Sequence, residues 1–366
     1  MHDLFYDLLK ISVGRKAELS FNPTEEDWKE LFKLSQQQTL AGVVFEGVKY
    51  LPQHQLPPKD ILLKWYAISE QIKKTNINLN QRTLGVCNKF LSEGFQSVIL
   101  KGQGLSKYYP NALVRTPGDI DIWLDGGRKK IAKYVRRYSP KSLLTYHHIE
   151  FDAVKGVDVE VHFTPTWMND YFSNRRLQRY FEKAKCDFFS LDAYVHKKVY
   201  DEIPCPTDEF NRVFILVHIY RHFFFEGIGL RQILDYYYIL SKGITEQERL
   251  ATLEVFKELK MLRFVGAVMY VLQNVFGLED KFLLLPSNKV EGEFLLNEIM
   301  MAGNFGHYDL RNLSVSNTTS FHRFINRVKR SSRFIFRYPS EAIWNPFFKI
   351  FHFFYWRREW SWRLFS

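Results

Sequence analysis

Within Val98–Gly127, VILKGQGLSKYYPNALVRTPGDIDIWLDGG, the run Gly118-Asp119-Ile120-Asp121-Ile122 restricts the fold most. Residues i and i+2 of a strand share a face. Asp119 and Asp121 therefore stand side by side, while Ile120 and Ile122 turn the other way into a core. Two adjacent carboxylates repel, and a cation between them removes that cost. Mg²⁺ suits such a pair, because it takes oxygen ligands and keeps positions open for phosphate oxygens. Upstream, the apolar run Val98–Leu100 leads into Lys101-Gly102-Gln103-Gly104. Glycine backbone lets N–H groups approach a phosphate closely. A carboxylate pair beside such a turn points to nucleotide chemistry. The bland alternatives are solvated aspartates on a strand edge and an ordinary tight turn at Gly102 or Gly104.

The chain before this stretch reads as helical. Asn22-Pro23-Thr24-Glu25-Glu26-Asp27 marks a helix start, with acids where the helix dipole favours them. Asp60–Leu91 reads as a long helix with Ile61, Leu62, Trp65 and Ile68 on one face, stopped at Gly94. Strands are expected at Phe95–Leu100 and Gly118–Leu124, and a basic helix at Arg128–Tyr138. A hairpin follows, His147–Val154 and Val157–Phe163, turning at Lys155-Gly156. In its second strand Val157, Val159 and Val161 alternate with Asp158, Glu160 and His162. That pattern fits an exposed sheet face as well as a site. Helices are then expected over Asn211–Phe225, Gly229–Leu240 and Glu246–Val275. Lys289–Leu313 reads as less regular, and Ser314–Ser320 as a polar linker.

The net charge of +11 favours anionic partners: a nucleotide, nucleic acid or a membrane surface. A solvated basic surface is the plain alternative. Three cysteines, Cys87, Cys186 and Cys205, form no CxxC, and the odd count argues against a disulfide framework. A reducing cytoplasm fits. The N-terminal stretch lacks the basic start and unbroken apolar run of a signal peptide. No run reaches the ~18 apolar residues of a spanning helix. Residues 344–365 carry Trp344, Phe347, Phe348, Phe351, Phe354, Tyr355, Trp356, Trp360 and Trp362 among Lys349, Arg357, Arg358 and Arg363. Packing, peripheral membrane contact and base stacking all suit this tail, nucleic acid least. His218 and His222 stand at the i, i+4 spacing of helical zinc ligands but read better as packed histidines.

Leu100-Lys101-Gly102, Tyr109-Pro110 with Arg115, Gly118–Ile122 and Val159-Glu160-Val161-His162 together resemble the nucleotidyltransferase superfamily of the DNA polymerase β type. The run His218–His222 and Leu230-Arg231-Gln232-Ile233-Leu234-Asp235 extend the resemblance. The turn departs from the pattern, with Gln103 where Gly or Ser usually follows the first glycine, and with a longer gap to the aspartates. The resemblance implies an α/β (α+β) fold: a small mixed sheet forming a nucleotidyltransferase core at residues 94–190. Helical regions flank it at 1–93 and 191–366. It implies transfer of a nucleoside monophosphate from an NTP, ATP being the expected donor, with release of pyrophosphate. Mg²⁺ or Mn²⁺ is expected on Asp119, Asp121 and Glu160, with Asp158 as the alternative third carboxylate. Lys101, Gly102, Gln103, Gly104 and Arg115 are expected at the phosphates. The acceptor, a metabolite or sugar, a protein side chain or an RNA end, stays open. The rivals are a non-catalytic nucleotide- or anion-binding module and an RNA-modifying enzyme of the same fold.

Overall fold

The computed structural model describes residues 2–190, 198–309, 311, 330 and 332–362. The expected linker Ser314–Ser320 lies outside them. The chain forms two compact units. One combines Met1–Asn78, Ser106–Pro117 and Phe225–Asn317; the other combines Leu79–Leu105, Gly118–Phe224 and Thr318–Ser366.

The first unit is helical. Its helix Glu25–Gln37 opens with a capping box: the Asp27 N–H donates to Thr24 Oγ1 at 3.2 Å, and the Thr24 N–H to the Asp27 carboxylate at 2.9 Å. Trp28, on that helix, meets Trp65 edge to face, and both are fully buried. The helix Leu262–Phe276 is apolar through most of its length and closes on a left-handed Gly277. Lys289–Ala302, expected to be irregular, is also a helix, started by Asn288, whose side chain accepts the Glu291 N–H. Glu298 interrupts its apolar pattern in the sequence. Folded, Glu298 sits buried against Arg311 at 2.7 Å.

The second unit holds a four-stranded sheet: β1 Ser97–Ile99, β2 Ile120–Leu124, β3 His148–Glu150 and β4 Val159–His162. The strand order is β1-β2-β4-β3. β2 pairs antiparallel with β1 and parallel with β4, and β4 pairs antiparallel with β3. The sheet is therefore mixed, and β2 and β4 are its central strands. The period-2 alternation decides the faces. Ile120, Ile122, Leu124, Ile149, Val159 and Val161 enter one core with Phe90 from the helix Lys59–Ser92, Phe95 from the segment before β1, and Ile131 and Val135 from the helix Gly127–Tyr138. Each fully buried aliphatic side chain there is worth about 1.5–3 kcal/mol. That burial holds the register, since a one-residue slip of β2 would send its carboxylate into the core and its isoleucines out.

Candidate active site

The register brings the polar positions of three strands onto one face. Asp121 is opposite Glu160, Trp123 opposite His162, His148 opposite His162, and Glu150 opposite Glu160. Asp119 precedes β2 with the parity of Asp121. It is 41% exposed, whereas the Asp121 side chain is wholly buried between neighbouring strands. Glu160 is 29% exposed, and Asp158, the alternative third carboxylate, is exposed.

Asp121 is held from two sides. Lys101 Nζ lies 3.0 Å from Asp121 Oδ1, and His162 Nε2 reaches the same oxygen at 3.0 Å. Lys101 also stands 3.8 Å from Asp119. The other oxygen, Asp121 Oδ2, is buried without a hydrogen-bond partner. Lys101 thus directs its charge at the aspartate pair. Burial opposes that charge, and Asp121, Asp119 and Glu160 outweigh it, raising the Lys101 pKa. The Asp121 charge raises the Asp119 pKa, with Lys101 pulling the other way. Burial also works against an ionised Glu160, but hydrogen bonds with His148 and His162 hold it well below the usual carboxylate range.

His147 and His148 join the site without having been expected there, whereas His162 stands on the polar face that the alternation of its strand predicts. His148 Nδ1 lies 3.1 Å from Glu160 Oε2, and His162 Nε2 lies 3.4 Å from the same atom. His147 Nε2 is 3.1 Å from His148 Nδ1. The signal was the alternation in His148-Ile149-Glu150, which puts His148 on the face that carries Glu160. His147 lies just before β3, and burial lowers its pKa well below the usual range, so it is neutral.

The turn after β1 has two kinds of glycine. Gly102 has a φ of +58°, and a Cβ there would stand 3.3 Å from the Asp119 carbonyl oxygen. A Cβ on Gly104 would come within 2.4 Å of the Ile99 carbonyl oxygen, so this glycine allows close packing on β1. The Gly104 N–H donates to the Lys101 carbonyl at 3.0 Å. Gln103 is buried, and its side-chain amide donates to Asn80.

Arg115 lies in the first unit. Its Nε and Nη2 each meet an Asp235 oxygen at 2.8 Å, and Tyr109 Oη donates to Asp235 Oδ1 at 2.6 Å. The Arg231 guanidinium donates to the Thr116 carbonyl at 2.9 Å. His218 and His222 stack with ring centroids 4.3 Å apart. Burial lowers the His218 pKa, and the charges of His222, Lys101, Arg221 and His162 add to it. Among the described residues, the groups of three candidate metal ligands are elsewhere: His147, His148 and His162, and Asp121, Glu160 and His162.

A cleft of about 770 Å³ opens along the β3–β4 connection. Asp119, Glu150, Asp152, Lys155, Asp158 and Glu160 supply its charged lining.

Fold and site together define an α+β protein whose small mixed sheet presents clustered carboxylates and imidazoles on one face. A family model described as "Uncharacterised nucleotidyltransferase" matches residues 24–277, more than half of the chain. The chain belongs to this family, which supports a general role in nucleotidyl transfer. No curated protein and no solved structure matches it. Among the described residues no helix is long and apolar enough to cross a membrane.

Proposed function

We propose that the protein transfers a nucleoside monophosphate from an NTP, ATP first among the candidates, to an acceptor hydroxyl. The observation that carries this reading is the pairing of Asp121 with Glu160 on adjacent parallel strands, with Asp119 at the same face. Asp119, Asp121 and Glu160 would hold Mg²⁺ or Mn²⁺. The buried, unpartnered Asp121 Oδ2 fits that assignment, as does the need for positive charge that Lys101 only partly meets. Bound there, a divalent ion supplies charge neutralisation at the phosphates.

The chain's own residues then have separate tasks. Lys101 and His162 orient Asp121. Glu160 takes the proton of the acceptor hydroxyl as general base. The acceptor oxygen bonds to the α-phosphorus, and the bond from that phosphorus to the pyrophosphate oxygen breaks. The Gly104 N–H is spent on Lys101, so the phosphate-facing role in the turn falls to Gly102 and Gln103. Arg115 is committed to Asp235, and we assign it to fixing the segment after Tyr109 against the helix Leu230–Ser241. The cleft lining, five carboxylates against one lysine, favours a neutral or cationic hydroxylated metabolite over an RNA end. We place the protein in the cytoplasm, where its three free cysteines stay reduced. Peripheral membrane contact through residues 344–365 accords with the exposed Phe347, Ile350, Phe351 and Phe354.

One observation favours a non-catalytic nucleotide-binding module instead: the turn carries Gln103 where the resembled pattern has Gly or Ser, and packs Gly104 on β1. Pyrophosphate release separates the two. The full chain is incubated with each NTP, Mg²⁺ and pools of hydroxylated metabolites. NTP-dependent pyrophosphate that disappears in Asp119→Asn supports transfer. NTP binding with no release from any pool supports the binding module.

A further inference from the structure

Four ring and carboxylate atoms converge beside the aspartate pair. His147 Nε2 to His148 Nδ1 is 3.1 Å, His148 Nδ1 to Glu160 Oε2 is 3.1 Å, and Glu160 Oε2 to His162 Nε2 is 3.4 Å. The geometry points to a second cation site, made by His147, His148 and His162 with Glu160 as a shared oxygen ligand, for a borderline divalent transition ion of the zinc type. It does not rest on nucleotidyl transfer.

Thr145 Oγ1 lies 3.2 Å from His147 Nδ1, a contact whose donor depends on the imidazole tautomer. With the proton on Nδ1, His147 Nε2 keeps a bare lone pair aimed at His148 Nδ1. A ring held this way by a partner on its far nitrogen has the form of a metal-ligating histidine. His148 Nδ1 then faces two acceptors, His147 Nε2 and Glu160 Oε2, and has at most one proton for them. A cation satisfies all of these lone pairs together. Bonds of roughly 2.0–2.1 Å to imidazole and carboxylate place tetrahedral ligand atoms about 3.3 Å apart, close to the three separations given above. All three histidines are buried, and their candidate ligand atoms lie within 4.8 Å of one another. The local charge also suits a cation: Asp119, Asp121 and Glu160 against Lys101 and Arg221, whose charges both reach His147. Nitrogen ligands separate this site from an all-oxygen magnesium site and select softer ions.

The test uses Zn²⁺ alone, without nucleotide, on the metal-stripped full chain, read by chelator competition and elemental analysis. The expected result is one tightly held Zn²⁺ per chain, with affinity lowered at least tenfold in His147→Ala and in His148→Ala. His218→Ala should bind as wild type does. Circular dichroism and thermal melting confirm that the variants fold. Co²⁺ on the unmutated chain gives a second reading, with intense visible bands expected from tetrahedral nitrogen–oxygen coordination. The proposal is overturned if wild type retains no Zn²⁺, if the His147 and His148 variants bind like wild type, if loss follows His218→Ala, or if Co²⁺ gives only weak octahedral bands. A chain that keeps Zn²⁺ yet binds no NTP would sink the transferase reading and leave this site standing.

Discussion

Asp121 is wholly buried, and its burial is tolerable only because Lys101 and His162 meet it at 3.0 Å. Lys101→Ala should therefore cost about 3–5 kcal/mol by urea unfolding, the penalty for an uncompensated buried charge. Millimolar Mg²⁺ should raise the melting temperature of that variant more than of wild type, because an ion takes over the missing charge. The Tyr109–Arg115–Asp235 cluster makes a similar contrast. Asp235→Ala strands a buried guanidinium and should cost about 3–5 kcal/mol, whereas Tyr109→Phe removes one hydrogen bond and should cost about 1–3 kcal/mol. Equilibrium denaturation of the two variants checks the ratio. Glu341 supplies a pH dependence. Burial pushes its carboxyl from an ordinary 4.5 up to about 7, against the hydrogen bonds it accepts from the Asn169 and Asp170 amides. Between those values the folded chain keeps a proton that the unfolded chain has released. The stability from this group is full below pH 4.5 and is lost as pH rises through about 7. Unfolding free energy should fall by about 3 kcal/mol across that window, and Glu341→Gln should flatten the slope.

The elements of the site were legible to different degrees, and for physical reasons. β2 and β4 carry strong alternation, because one face of each meets the core and the other does not. Ile120, Ile122, Val159 and Val161 place the carboxylates on the polar face of each strand, and the resemblance joins Glu160 to the aspartates. β3 is only three residues long, His148–Glu150, too short for its alternation to stand out, so its histidines stayed unassigned. Its antiparallel pairing with β4 follows the expected hairpin, across a longer connection than the turn at Lys155-Gly156. Arg115 looked like a phosphate ligand because its partner, Asp235, is 120 residues away, and charge pairing at that separation leaves no local pattern. The helix Lys289–Ala302 was obscured by Glu298, a charge on a buried face that only Arg311 explains. The turn after β1 can be tested element by element. Gly104→Ala forces a Cβ into the Ile99 carbonyl and should cost about 1–3 kcal/mol or displace β1. Gly102→Ala meets the milder limit of a left-handed φ and should cost about 1–2 kcal/mol. Thermal melts of the two variants rank them.

At the scale of the molecule, a net charge of +11 coexists with a cleft whose lining is mainly acidic. The basic charge therefore lies largely elsewhere and suits an anionic surface rather than the acceptor. Vesicles containing phosphatidylserine should retain the protein at low ionic strength and release it progressively between 50 and 500 mM salt, on the order expected for screened surface charge. Phe347→Asp with Phe351→Asp should weaken retention at every salt concentration; co-sedimentation that is indifferent to both would remove the membrane role. The central claim is that Asp119, Asp121 and Glu160 form a metal-dependent nucleotide site. Calorimetric titration of each of the four NTPs into the full chain, with and without Mg²⁺, tests it most directly. The comparison protein is Asp119→Asn/Asp121→Asn, with Asp119→Asn alone as the variant that leaves the buried pair intact. Selective Mg²⁺-dependent binding by wild type, lost in both variants, is the predicted result. Equal binding by all three proteins, or no NTP binding by wild type with either Mg²⁺ or Mn²⁺, would contradict it.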